Sequence, residues 1–336
     1  MSKNTKIEWA HDTFNPWVGC TKISPACDHC YAEGWAKRSG QVVWGKDRKR
    51  TSIANWKLPL KWDKEAQAAG VRRKVFCASL ADVFDNAVPQ EWRNDLFRLI
   101  SETQNLDWLL LTKRIGNVLD MLDEALLQEP RLRNGACRFA SWPWPNVWLG
   151  ATICNQIEAD RDIPKLLSLP ATKRFLSMEP LLGPVDLSMI QHTVGYGCGP
   201  CTGCGSAVYI DALTGSYFCA ASCDGPVRPA IDWVIVGGES GPGARPMHPD
   251  WARSLRDQCL AAGVPFLFKQ WGEWAPALAI DESDERVLQE RWIRRDGLTV
   301  GKDDIQFFHG DEVVYRAGKK AAGRLLDDRT WNGVPA

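Results

Sequence analysis

Residues 74–112 read KVFCASLADVFDNAVPQEWRNDLFRLISETQNLDWLLLT and decide the fold class. Residues 74–80 form a short apolar run that predicts a buried strand, and residues 107–112 form a second one. Between them, residues 89–103 carry apolar side chains at helical spacing and begin with a proline, which favours the start of a helix. A strand, a helix and another strand in this order indicate parallel strands joined by a crossover helix.

The same alternation continues along the chain. Further strands are predicted at 14–20, 146–153, 173–178, 232–238 and 265–270. Further helices are predicted at 115–128, 155–168 and 249–262. Six or seven such repeats predict an α/β fold, a full or partial parallel β/α barrel with its chemistry at the carboxyl ends of the strands.

Two stretches interrupt the alternation. Residues 191–226 are rich in Gly and Cys and have no helical period, and residues 276–336 are polar with no parallel-strand signal. We therefore expect the first part of the barrel at 1–190, a cysteine-rich metal-binding insertion at 191–226, the last part of the barrel at 227–275 and a C-terminal extension at 276–336.

Composition limits the environment and the partners of the chain. The 336 residues carry 41 Lys or Arg and 41 Asp or Glu, so nucleic-acid binding would need a local basic patch. Neither a signal peptide nor an apolar run of about 18 residues is found, which predicts a cytoplasmic protein without a membrane partner. In the cytoplasm, twelve cysteines are better metal ligands than disulfide partners.

The stretch GCTKISPACDHCYAE contains Cys20, Cys27 and Cys30, with six and then two residues between them. Three thiolates on one loop after a predicted strand suit a four-iron four-sulfur cluster whose fourth iron stays open to a small molecule. Zinc is the alternative, with His29 or a distant residue as the fourth ligand. Unliganded buried cysteines fit less well, because turn-forming residues such as Pro25 mark an exposed loop.

This cysteine triad resembles that of the radical S-adenosylmethionine (SAM) superfamily, although the commonest triad there has three and then two intervening residues. The wider sequence resembles a phage- and prophage-associated three-cysteine-motif family of poorly defined function. The matching stretches are IEWAHDTFNPWVGCTKISPACDHCYAE, LLLTKR, WLGATI, LSMEPLLGPVDL, DWVIVGGESGPGARPM, VPFLFKQWGEW and GKKAAGRLLDDRTWNG.

The resemblance implies how Cys20, Cys27 and Cys30 would be used. They would hold a 4Fe–4S cluster whose open iron binds the amino and carboxylate groups of SAM. Reductive cleavage of SAM would then yield a 5′-deoxyadenosyl radical, with the electron coming from an external donor. The protein would position the cofactor and the substrate.

Polar residues follow the predicted strands, and in a β/α barrel such residues converge on one pocket. We predict that SAM is bound by residues of this kind: Asn15, Ser79, Asp82, Lys113, Thr152 and Glu179. Lys113 and the adjacent Arg114 either pair with a carboxylate or phosphate or begin a solvated helix. Glu179 either holds ribose hydroxyls or the SAM ammonium group, or caps a turn. The stretch GGESG (237–241) either lets a ligand approach the backbone closely or forms an ordinary turn.

A second cysteine cluster falls in the insertion. Two pairs bracket a predicted hairpin, AVYIDALTGSYF, in the manner of a structural zinc ribbon. An auxiliary iron–sulfur cluster is the competing interpretation. The proposed zinc ligands are Cys201, Cys204, Cys219 and Cys223, with Cys198 as a possible replacement for Cys201.

A basic stretch, KRSGQVVWGKDRKR, follows the first cysteine cluster and includes Trp44. Basic residues beside an aromatic ring suit a nucleic-acid substrate, and a solvated helix face is the alternative. The predicted contacts are Lys37, Arg38, Lys46, Arg48, Lys49 and Arg50.

The sequence thus predicts a radical SAM enzyme that abstracts hydrogen from a substrate, with modification or repair of a nucleic-acid base as the first expectation. The alternative is a non-catalytic nucleic-acid-binding protein in which both cysteine clusters hold structural zinc.

Overall fold

The computed structural model describes residues 2–128, 142–192, 208–219, 230–279, 289–300 and 310–336. In these residues the strands are, in chain order, β1 (Ser2–Lys3), β2 (Asp12–Thr13), β3 (Trp17–Val18), β4 (Lys49–Arg50), β5 (Arg73–Cys77), β6 (Leu106–Thr112), β7 (Val147–Thr152), β8 (Lys173–Met178), β9 (Ile190–His192), β10 (Val208–Ile210), β11 (Tyr217–Cys219), β12 (Trp233–Gly237), β13 (Phe266–Gln270), β14 (Trp274–Pro276), β15 (Glu290–Ile293), β16 (Thr299–Val300) and β17 (Glu312–Arg316). The helices are α1 (Tyr31–Ser39), α2 (Ile53–Trp56), α3 (Leu58–Ala69), α4 (Gln90–Glu102), α5 (Val118–Gln128), α6 (Gln156–Ser168), α7 (Pro249–Ala262) and α8 (Lys319–Ala322).

The principal sheet has eight strands in the order β1-β2-β5-β6-β7-β8-β12-β13. Seven of them, from β2 to β13 in that order, run parallel in a curled half-barrel flanked by helices, and β1 pairs antiparallel with β2. The predicted fold class is therefore confirmed. No helix in the described part of the chain combines the length and the apolar character that crossing a bilayer requires.

The chain divides into two compact units, and the first comprises Met1–Ser24, Ala32–Ala151 and Leu169–Arg174. Its central strand β6 is buried along nearly its whole length, as is typical of a parallel strand covered on both faces. Helix α4 buries Leu96, Phe97 and Ile100, which recur at helical spacing on one face. The predicted helix at 89–103 and the strand at 107–112 match these elements closely.

The second unit comprises Pro25–Tyr31, Thr152–Ser168 and Phe175–Ala336. Here β12 pairs parallel with β8 and with β13, and all five residues of β12 are buried. Helix α7 follows β12 and has the ends that its sequence predicts. The His248 side chain accepts a hydrogen bond from the Asp250 amide at the N-terminus, and Gly263 ends the helix at a φ of +70°.

The first strand differs from its prediction. Residues 14–20 were expected to form a parallel strand, but the parallel strand is β2, at Asp12–Thr13, which pairs with β5. Within 14–20 only β3 is extended, and it pairs antiparallel with β4 in a separate two-stranded sheet. Pro16 explains the difference, because it has no backbone N–H to donate within a ladder.

Two smaller sheets belong to the second unit. Strands β10 and β11 form an antiparallel hairpin, with β9 on the other side of β10, which confirms the hairpin predicted within the insertion. The C-terminal region forms a four-stranded sheet in the order β14-β17-β15-β16. Its strand pairs are antiparallel, in keeping with the missing parallel-strand signal in that part of the sequence.

Candidate functional site

The predicted metal ligands lie on the loop after β3. Cys20 follows Gly19, whose φ is +106° and whose Cβ, if present, would lie 2.2 Å from the Asp47 carbonyl oxygen. Only glycine fits at that position. Cys27 ends a short 3-10 turn, and the Cys30 amide donates to the Cys27 carbonyl at 3.4 Å directly before α1. The three cysteines are free thiols. Cys20 belongs to the first unit, and Cys27 and Cys30 belong to the second.

The Cys20 sulfur lies beside a guanidinium group. Nη1 of Arg114 donates to Cys20 Sγ at 3.4 Å and to Asp82 Oδ2 at 3.2 Å. Nη2 of Arg114 donates to the Thr21 carbonyl at 2.9 Å. The alternatives considered for Arg114 from sequence were an anion ligand and a solvated helix start. In the structure this side chain is buried and contacts the first cysteine of the triad.

A second buried arginine holds the same short segment. Nε of Arg48 donates to Asp85 Oδ2 at 2.7 Å, and its Nη2 donates to Thr21 Oγ1 at 2.6 Å. Burial raises the pKa of the Cys20 thiol, the charge of Asp82 adds to the increase, and the Arg114 guanidinium opposes it. A metal that binds Cys20 must therefore displace a proton.

An ion-pair network in the second unit holds the turn that carries Cys27. Nε and Nη2 of Arg245 donate to the two carboxylate oxygens of Glu239, at 2.9 and 2.7 Å. The same guanidinium donates to Asp28 Oδ2 at 2.9 Å and to the Pro25 carbonyl at 2.8 Å. One arginine after β12 therefore fixes two positions next to the cysteine.

Glu239 also contacts the residue that precedes Cys30. Nδ1 of His29 lies 3.1 Å from Glu239 Oε2, which in addition accepts a hydrogen bond from the Arg245 amide at 2.8 Å. Burial alone would raise the pKa of Glu239, but the hydrogen bonds from Arg245 and His29 outweigh it and hold that pKa below its ordinary value. The carboxylate is thus charged at neutral pH and keeps His29 in place.

Asp82, a predicted cofactor-binding residue, accepts hydrogen bonds from neighbouring residues at both of its carboxylate oxygens. Its Oδ1 accepts hydrogen bonds from Thr112 Oγ1 at 2.7 Å and from the Phe84 amide at 3.0 Å. Its Oδ2 accepts from the Lys113 amide at 3.1 Å as well as from Arg114. The structure thus brings Asp82 and the backbone of Lys113 together, and Asp82 positions Arg114 against the cysteine.

Asn15 and Ser79 are also brought together in the first unit. Nδ2 of Asn15 donates to Ser79 Oγ at 2.9 Å, and Asn15 Oδ1 accepts from the Leu80 amide at 2.7 Å. Asn15 is buried, so its amide group ties the end of β2 to the end of β5. Thr152, at the end of β7, is buried in the second unit.

Glu179 lies in a separate polar cluster at the strand ends of the second unit. Nζ of Lys269 lies 2.7 Å from each carboxylate oxygen of Glu179. The buried Gln270 side chain donates to Glu179 Oε1 at 3.2 Å and to Ser240 Oγ at 3.0 Å. The ends of β8, β12 and β13 therefore converge here as parallel strands predict.

The glycines of GGESG are needed for packing of the chain on itself. A Cβ on Gly238 would lie 1.8 Å from the Trp271 carbonyl oxygen, and one on Gly237 would lie 3.4 Å from the Glu179 side chain. Gly272 faces the same junction, because its Cβ would lie 2.1 Å from the Glu239 carbonyl oxygen. The space beside both glycines of the pair is filled by protein atoms rather than left for a ligand.

The basic residues after the triad divide into two groups. Arg48 is buried against Asp85, and Arg50 pairs with Asp95 at 2.7 Å with its guanidinium 4.3 Å from the Trp56 ring centroid. The remaining predicted nucleic-acid contacts are exposed: Lys37, Arg38, Lys46 and Lys49.

Four cysteines of the predicted second cluster lie outside the described residues: Cys198, Cys201, Cys204 and Cys223. Of Cys219, only the backbone at the end of β11 is described. Three other cysteines, Cys77, Cys154 and Cys259, are buried. Burial raises the pKa of the Cys259 thiol to about 12 and raises that of Cys77 as well, as expected for thiols packed in the core.

The arrangement of the triad bears on which metal it suits. Across the described ranges, no group of three or more His, Cys, Asp or Glu side chains is arranged to hold a single ion. The thiolates of a four-iron cluster each bind a different iron, so they need not converge on one point as the ligands of one zinc ion do. The three free cysteine thiols, with the Arg114 guanidinium beside Cys20, are donor atoms of the kind that bind an iron–sulfur cluster.

Several residues of this region were missed from the sequence. Arg48, Asp85 and Arg245 were not recognised as anchors of the cysteine loop, and Lys269 and Gln270 were not recognised as partners of Glu179. Lys269 did carry a signal, since a charge in the apolar run PFLFKQ stands at the end of a predicted strand. Arg245 carried none, because its partner Asp28 is 217 positions away.

The fold and the site define an α/β half-barrel protein with a loop of three free cysteines after its first strands. The chain belongs to the family described as "Protein of unknown function (DUF5131)", which it matches over residues 4–335. No curated protein matches the chain, and neither does any solved structure.

Proposed function

We propose that this protein is a radical SAM enzyme in which Cys20, Cys27 and Cys30 hold a 4Fe–4S cluster. The observation that carries the proposal is a loop of three free thiols after the first strands of a parallel β/α half-barrel. The resemblance of the triad to that superfamily, and of the wider sequence to a phage-associated three-cysteine family, supports it.

The proposed reaction uses one electron from an external donor. Cys20, Cys27 and Cys30 would hold the cluster, which would supply this electron for cleavage of SAM to methionine and a 5′-deoxyadenosyl radical. Hydrogen abstraction from the substrate would then give 5′-deoxyadenosine and a substrate radical. The protein binds and orients SAM and substrate and keeps water from the radical.

The strand-end residues would have two roles, to hold the loops in place and to contact SAM or the substrate. Asp82, Asn15 and Ser79 are engaged with their own chain, so they support the geometry of the loops. Glu179 and Lys269 form a partly exposed ion pair whose charges would suit the amino and carboxylate groups of SAM or polar groups of the substrate. Lys113 and Thr152 remain proposed contacts of the cofactor.

For the substrate, we propose a nucleic acid whose base is modified or repaired. The exposed Lys37, Arg38, Lys46 and Lys49 support this substrate class, since they follow the cysteine loop and would contact phosphates. Binding of single-stranded and duplex oligonucleotides at two salt concentrations is the measurement. Affinity that falls steeply with salt supports the proposal, and salt-independent or absent binding excludes it.

Metal analysis of anaerobically purified protein tests the cluster itself. We expect about four iron and four labile sulfide ions per chain in the wild type, and none in Cys27→Ala. The control variant Cys259→Ala, in which a cysteine buried in the core is replaced, should keep both. Two zinc ions, no iron and intact nucleic-acid binding would instead support a non-catalytic zinc-dependent binding protein.

A further inference from the structure

We propose that Arg114 raises the reduction potential of the iron–sulfur cluster by donating a hydrogen bond to the Cys20 sulfur. This inference rests on the proposed function, because it requires the cluster. It assigns Arg114 as a positioning and tuning residue rather than as a ligand of SAM or of substrate. Its basis is the N–H group of Arg114 Nη1, which lies 3.4 Å from Cys20 Sγ.

The guanidinium is fixed from several sides. Only 9% of the Arg114 side chain is exposed, and it donates to the Thr21 carbonyl and to Asp82 as well as to the sulfur. Its amide nitrogen in turn donates to Thr112 Oγ1 at 2.8 Å, and Thr112 donates to Asp82. An arginine held by this many bonds cannot swing away to bind a mobile ligand without breaking them.

The sign of the effect follows from charge. Reduction adds an electron to the cluster and increases the negative charge on the sulfur atoms, so an N–H donor to a ligand sulfur stabilises the reduced form more than the oxidised form. Without Arg114, Asp85 would keep Arg48 as its cationic partner, but the nearby Asp82 carboxylate would lose the Arg114 guanidinium, and its negative charge disfavours an added electron. Both contributions make the potential more negative when the guanidinium is removed.

Arg48 provides a matched control. Only 4% of its side chain is exposed, and it binds the same segment through Thr21 Oγ1 and Asp85. Its guanidinium donates to the Asp85 carboxylate, to the Asp47 carbonyl and to Thr21 Oγ1, whereas the donor to the cysteine sulfur is Arg114. Arg48→Gln therefore removes one buried guanidinium near the loop and leaves the hydrogen bond to Cys20 intact.

The experiment is a redox titration, followed by electron paramagnetic resonance, of the reconstituted full chain as wild type, Arg114→Gln, Arg114→Lys and Arg48→Gln. We expect Arg114→Gln to lower the ratio of reduced to oxidised cluster about tenfold at a fixed potential, which is about 59 mV for a one-electron couple. Arg114→Lys, which keeps the charge, should shift less, and Arg48→Gln should change the ratio less than about threefold. A shift in Arg114→Gln no larger than that in Arg48→Gln would overturn the inference.

The outcomes separate this inference from the proposed function. If the wild-type protein contains no iron and sulfide, the proposed function is refuted. If the wild type holds a cluster and its reduction potential does not change when Arg114 is replaced, only the inference is refuted. If the Arg114 variants do not hold a cluster, wild-type protein with ¹⁵N in its arginine guanidinium groups replaces them. A weak ¹⁵N coupling to the reduced cluster in electron–nuclear double resonance is expected, and its absence overturns the inference.

Discussion

Replacing Arg245 with methionine tests whether the cysteine loop is anchored from the strand end after β12. The change keeps the apolar stem of the side chain and removes the guanidinium. That group donates two hydrogen bonds to Glu239, one to Asp28 and one to the Pro25 carbonyl. The bonds to Asp28 and to the Pro25 carbonyl join the cysteine loop to the region after β12. The two bonds to Glu239 hold the carboxylate that contacts His29 of the same loop.

The size of the effect follows from burial. The Glu239 side chain is 5% exposed, and loss of one partner from a buried ion pair costs about 3–5 kcal/mol. Arg245 is 32% exposed, so water replaces part of what is lost, and the bond to the 52% exposed Asp28 contributes little. We expect Arg245→Met to lower the free energy of unfolding by about 2–3 kcal/mol.

Urea unfolding of the metal-free protein measures this change, which should lower the midpoint without altering the m-value. Arg253→Met is the control, because Arg253 is 26% exposed and pairs with two carboxylates at the surface. The control should lose less than about 1 kcal/mol. Equal losses in the two variants would show that Arg245 contributes no more than a surface ion pair.

The pH dependence adds a second test. In the wild type, the pKa of Glu239 is held below its ordinary value, so its stabilisation is present at neutral pH and is lost as pH falls through the folded-state pKa. In Arg245→Met, burial without the cation should raise that pKa, which favours the folded state as the carboxyl group takes up its proton. The difference in stability between the two proteins should therefore narrow from pH 7 to pH 4. A constant difference would contradict the account.

Three further predictions concern packing and titration. Gly238→Ala should cost about 4 kcal/mol or more in urea unfolding because its Cβ would meet the Trp271 carbonyl, whereas Gly263→Ala, with open space but a positive φ, should cost about 1–2 kcal/mol. Burial lowers the pKa of His248, so the wild type should lose more stability as pH falls from about 7 to 5 than His248→Asn, which keeps an N-cap but has no imidazole at this position. Cys259→Ala should destabilise the protein by about 1–2 kcal/mol and leave the iron content unchanged; loss of iron would contradict its assignment to the core.

Much of the barrel was predictable because parallel strands buried on both faces form continuous apolar runs. The strand predicted at 173–178 matches β8, and the helix predicted at 249–262 matches α7. The prediction of a parallel strand at 14–20 was wrong, although Pro16 within that stretch is a signal against a central strand.

The site was predictable only in part. The cysteine spacing and the polar strand ends were visible because they are local in sequence. The partners of those residues were not visible, since Arg114 and Cys20 lie 94 positions apart and no periodic pattern connects them. An ionisable residue near a strand end also does not reveal whether its charge faces a ligand or, like Asp82, its own chain.

The central claim is most directly tested by the product of SAM cleavage. Anaerobically reconstituted protein is reduced with dithionite in the presence of SAM, and 5′-deoxyadenosine is measured by chromatography, with Cys27→Ala as the control. On the proposed function, the wild type forms 5′-deoxyadenosine and the variant forms none. Wild-type protein that carries zinc at the triad, shows no cluster absorbance and forms no 5′-deoxyadenosine would contradict it.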